Sequence, residues 1–71
     1  MKAPDHFSNV RFRQIVEEYV QGEQDRHIML RKYADKATLE KIAEETGLSV
    51  TQVKRVIGKH YFFVFGMMDK N

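Results

Sequence analysis

The sequence predicts an all-α fold, a small three- to four-helix bundle, and three observations lead there. Apolar residues recur at three- and four-residue spacing through most of the chain, the period that gathers side chains on one helix face. The interruptions are short and carry helix punctuation: Gly22, Asp35-Lys36-Ala37, and Thr46-Gly47-Leu48-Ser49. With 71 residues and no cysteine, the chain makes one domain (1–71). That size is near the lower limit for a self-sufficient core, and no disulfide is available to staple it.

Residues Met1 to about Asp5 read as a frayed terminus, with Pro4 placed to precede a helix. The first helix is expected from about His6 to Val20. Phe7, Val10, Ile15 and Tyr19, with Phe12, Val16 and Val20, form a broad apolar stripe. Arg11, Arg13, Gln14, Glu17 and Glu18 take the solvated side, and Gly22 is expected as the C-cap. A second helix should run from about Glu23 to Ala34, with Ile28, Met29, Leu30, Tyr33 and Ala34 facing the core. Asp35-Lys36-Ala37 connects it to a third helix capped by Thr38.

The stretch from Thr38 to about Gly58 organises the rest. Leu39, Ile42 and Ala43 share one face of a short helix, and Val50, Val53, Val56 and Ile57 share one face of the next. Between them Gly47 can take a positive φ without a Cβ penalty. Ser49 and Gln52 form a Ser-x-x-Gln capping box. Small Ala43 lets the two helices cross closely. These features together predict a helix-turn-helix over about 38–58.

The tail, 59–71, is rich in Tyr, Phe and Met and has no assigned structure. Its aromatics either fold back to complete the core or present a patch to a partner or a second copy of the chain.

Net charge is only +2, so overall field says little about partners. Distribution says more. Between Glu45 and Asp69 there is no acidic residue, and that gap holds Lys54, Arg55, Lys59 and His60. A basic surface on the second helix of the pair suits phosphates. No apolar run approaches the ~20 residues of a membrane span, and the first residues lack a secretory pattern. The expected setting is the cytoplasm.

The segment Asp25 to Arg55 resembles region four of bacterial sigma factors and the related helix-turn-helix of LuxR-type regulators. The matching pieces are Leu30 to Tyr33, Ile42-Ala43, Gly47-Leu48-Ser49-Val50 and Val53-Lys54-Arg55. The likeness covers about half the chain. Two positions depart from the pattern: Lys36 replaces a loop glycine, and Thr46 stands where an apolar residue is usual. No segment corresponds to the sigma region that melts promoters. The resemblance implies promoter or operator binding, with possible contact to RNA polymerase.

Advancing about 100° per residue from an inward Val53 points Thr51 and Arg55 outward, flanked by Gln52, Lys54 and Lys59, with Val50 at the margin. Val50, Thr51, Gln52 and Arg55 are therefore the expected base readers. Arg55 suits guanine, Gln52 adenine, and Thr51 thymine or phosphate. Thr38, Ser49, Lys54 and Lys59 are the expected phosphate contacts. Phe62, Phe63, Phe65 and Met67 are the candidate dimer or partner interface.

Catalysis has little support. His6, His27 and His60 lack metal-ligand spacing, the adjacent acids Glu17-Glu18 and Glu44-Glu45 diverge on a helix, and no glycine loop cradles phosphate. No enzyme activity, cofactor, metal or small-molecule ligand is expected. The function predicted is a sequence-specific DNA-binding transcriptional regulator with double-stranded DNA as partner. The alternative is an interaction module that binds RNA polymerase or another regulator.

Overall fold

The computed structural model describes residues 8–70, with the side chains of 69 and 70 excepted, and is an all-α bundle. Helix α1 spans Asn9–Tyr19 and α2 spans Glu23–Met29, continuing into a π-helical turn at Leu30–Ala34. Helix α3 spans Leu39–Thr46 and α4 spans Val50–Lys70. Expectations for Met1 to Asp5, for the first helical residue His6 and for Phe7 lie outside the described residues.

Helix α1 begins at Ser8, whose hydroxyl accepts from the Arg11 amide at 3.2 Å. It buries Phe12, Ile15 and Val16, and Val20 just past its end is also buried. The apolar stripe is narrower than expected, because Val10 is 68% and Tyr19 47% exposed. Val10 lies on the side of the helix opposite Phe12 and Val16, whereas Tyr19 is in phase with them but is the last residue of the helix, where its ring meets Phe63 at 5.7 Å. Gly22 is not the C-cap of α1, a place taken by Val20; it is the N-cap of α2, with φ +93°.

The second helix has the expected span but not the expected last turn. The Asp35 amide donates to the Leu30 carbonyl at 3.1 Å, five residues back, a π spacing rather than an α one. The Ala37 amide then donates to the Arg31 carbonyl at 2.9 Å. Between these two bonds Lys36 adopts φ +60°, the left-handed conformation that closes many helix ends. Lysine thus takes a backbone role more often filled by glycine.

The Thr38 hydroxyl caps α3 by accepting from the Lys41 amide at 3.1 Å, and Glu40 in the first turn matches the helix dipole. The helix stops at Gly47, which is left-handed at φ +76°. Thr46 is accommodated at this corner by its own hydroxyl. That group donates to the Ile42 carbonyl at 2.9 Å and accepts from the Leu48 amide at 3.4 Å, so the half-buried hydroxyl has its partners at the helix end.

The tail has a structure after all: α4 runs unbroken through Gly58 and Gly66 for 21 residues. At 1.5 Å per residue that is about 31 Å, close to the 34 Å longest dimension of the molecule. Strand propensity in Tyr61 to Phe65 loses to packing. Val64 and Phe65 are buried, and the Phe65 ring lies 5.7, 5.0 and 5.0 Å from those of Phe12, Tyr33 and Tyr61. One core joins all the elements, with Phe12, Ile28, Met29, Ile42, Val53 and Val64 fully buried. Each such side chain contributes roughly 1.5–3 kcal/mol from apolar burial.

Candidate nucleic-acid interface

The surface in question is the outer face of the first turns of α4. Its orientation is fixed from inside by Val53, fully buried, and Ile57, 9% exposed. Its start is fixed by Ser49 and Gln52. The Gln52 amide donates to the Ser49 hydroxyl at 3.1 Å, and the Ser49 amide donates to Gln52 Oε1 at 3.0 Å. Both halves of the capping box are made.

With α4 held this way, Thr51, Gln52, Lys54 and Arg55 are all exposed and Val50 is half-buried. Thr51 and Arg55, one turn apart, share the most outward line. The capping box puts a constraint on Gln52. Its Oε1 already accepts from Ser49, so the bidentate geometry that reads adenine is open only if the cap is released. Ser49 and Thr38 are exposed as expected, and each already accepts a backbone N–H in its own cap.

The cations of this face differ in how far they are neutralised. Lys59 lies 3.7 Å from Asp25, which also meets His60 Nε2 at 2.8 Å. Elsewhere Arg13 pairs with Asp35, Lys41 with Glu44, and Arg31 with both Asp35 and Glu45. Among the described residues neither Lys54 nor Arg55 meets a carboxylate within ion-pair distance. Positive charge left uncompensated on the protein is what a polyanion can use.

The expected interface residues Phe62, Phe63, Phe65 and Met67 are not one surface. Phe65 is a core residue at 5% exposure, so it is withdrawn as an interface candidate. Met67 is half-buried, and its carbonyl accepts from the Arg11 guanidinium at 3.3 Å. Phe62 and Phe63 are exposed but about 100° apart on the helix, and Phe63 meets the Tyr19 ring at 5.7 Å. Sequence reasoning missed Lys32: the π turn brings it into the same surface groove as Lys54. Nothing local in the sequence links these two positions.

No helix among the described residues is long and apolar enough to cross a membrane. Comparison of the chain with family models, with curated proteins and with solved structures gives no match.

Proposed function

We propose that this protein is a DNA-binding transcriptional regulator that places the first turns of α4 in the major groove, α3 and α4 acting as a helix-turn-helix. The observation that carries the reading is the pairing of Lys54 and Arg55, both exposed and both without a carboxylate partner among the described residues, on a capped helix whose opposite side is buried. Arg55 is the main base reader, through its planar fork to guanine, with Thr51 beside it. Lys54 is a phosphate contact that sets affinity and register. Lys59 takes a lesser part because Asp25 competes for it.

The test is fluorescence anisotropy with a mixed-sequence DNA duplex across a salt series, for the native chain and for Lys54→Ala/Arg55→Ala. Binding should weaken steeply with salt, and the double variant, which removes one phosphate contact, should lower the slope of log K against log salt by about one. A folded protein that binds no duplex even at low salt would overturn the reading.

A further inference from the structure

Gly58 lies in the middle of α4, where the fold has no use for a glycine. Its φ is not left-handed, and a Cβ built there meets nothing within 4 Å. Glycine in a helix interior costs about 1 kcal/mol relative to alanine, and no close internal contact at this position offsets it. The open space outside Gly58 is a surface groove of about 310 Å³.

One wall of the groove carries Lys32 from the π turn and Leu39 from α3. The other is α4, contributing Lys54, Ile57, Tyr61 and Phe62. The lining is largely apolar, both charged side chains are cationic, and Phe62 remains 65% exposed. From Lys54 to Phe62 the helix rises about 12 Å, a little over two turns.

We propose that this groove is the docking site for an acidic amphipathic helix of a partner protein. Apolar residues of the partner at i, i+3, i+4 and i+7 would cover Leu39, Ile57 and Phe62, in the helix-in-groove mode. The missing side chain at Gly58 lets the partner's backbone approach closely. Carboxylates on its flanks meet Lys32 and Lys54, which selects for acidic partners. The largely apolar lining favours a protein over a nucleic acid, whose backbone offers phosphates rather than apolar side chains. This inference shares Lys54 with the DNA reading but does not rest on that reading, in which Lys32, Leu39, Gly58 and Phe62 play no part.

The experiment is an amide NMR titration of the full chain with two helical peptides of about 14 residues, with leucines spaced i, i+3, i+4, i+7. One has glutamate at the remaining outward positions, the other lysine. The glutamate peptide should shift amides centred on Leu39, Gly58 and Phe62 and bind at least about tenfold tighter than its lysine counterpart. Gly58→Met fills the groove and should weaken binding by about tenfold while unfolding at the same or a higher denaturant concentration. Lys32→Glu should weaken it as well. Equal affinity for the two peptides would overturn the proposal, as would shifts centred on Tyr19 and Phe63. So would groove shifts that grow with protein concentration alone, marking a second copy, or that appear with duplex DNA and with neither peptide.

Discussion

Arg31 and Glu45 form a two-pronged ion pair that ties the π turn to α3. Arg31 Nε donates to Glu45 Oε1 at 2.9 Å and Arg31 Nη2 donates to Oε2 at 2.6 Å. The same carboxylate meets His27 Nε2 at 3.1 Å, and Arg31 also reaches Asp35 at 3.4 Å. Fork-to-fork geometry fixes direction as well as distance. This pair therefore helps set where α3 sits against the second helix.

A pH dependence follows from it. The hydrogen bond from Arg31, with further help from His27 and from the charges of both, lowers the Glu45 carboxyl from an ordinary value of 4.5 to about 2, although partial desolvation opposes the shift. A carboxyl with a depressed folded-state pKa stabilises the fold above its unfolded value and loses that contribution as pH falls toward the folded one. Thermal unfolding midpoints of the native chain should therefore drop between about pH 4.5 and 2. Glu45→Gln should show a lower midpoint at neutral pH and a shallower slope in that window. Parallel curves for the two proteins would mean that the pair contributes nothing.

Glycines 47 and 58 should respond to alanine with opposite sign. A Cβ at either position meets open space, so sterics with neighbours do not decide. Backbone conformation does. At Gly47, with φ +76°, alanine should cost about 1–2 kcal/mol. At Gly58, within α4, it should stabilise by up to about 1 kcal/mol. Urea denaturation of the two single variants, compared at equal m-value, checks both signs.

Lys36 is the converse case. It holds φ +60° without being glycine, and relief of that strain is worth about 1–2 kcal/mol, less the entropy that glycine adds to the unfolded chain. Lys36→Gly should raise the denaturation midpoint slightly. A clear loss of stability would show that the lysine side chain itself holds the connection.

These positions show what the sequence made legible. Gly47, Ser49, Gln52 and Thr38 were readable because their roles are local: a positive φ or a hydrogen bond to an amide three residues away needs no tertiary context. The exposure of Thr51, Lys54 and Arg55 followed from helical phase once Val53 was taken as inward. Three features were not readable. Gly22 was placed as an end rather than a beginning, since glycine is permitted at both. The π turn arises where the second helix meets α1 and α3, and its hydrogen-bond spacing leaves no trace in residue periodicity. The tail was ambiguous because Tyr61 to Phe65 favour strand by propensity, while the pull toward helix comes from Phe12 and Tyr33, distant in sequence.

On the DNA reading, Arg55→Lys should separate charge from geometry. It keeps the cation and loses the planar fork. Non-specific binding and its salt slope should change little. Discrimination among selected sites should fall by about 1–3 kcal/mol at one base pair. A uniform loss across all sequences would reassign Arg55 to phosphate.

The aromatic end of α4 supplies the sharpest contrast in stability. Phe65 packs its ring against Phe12, Tyr33 and Tyr61 and is 5% exposed, whereas Phe62, less than one turn earlier, is 65% exposed. Removing Phe65 empties a place where α1, the π turn and α4 meet, so Phe65→Ala should cost about 3–5 kcal/mol. In a domain of this size such a loss approaches the whole stability, about 5 kcal/mol or less. Phe65→Leu keeps much of the volume and should leave a folded, weakened protein. Phe62→Ala should fall within about 0.5 kcal/mol of the native chain. Circular dichroism melts of the three variants decide the matter. If Phe62→Ala proved as damaging as Phe65→Ala, Phe62 would be part of the core and the groove beside Gly58 would be closed in solution.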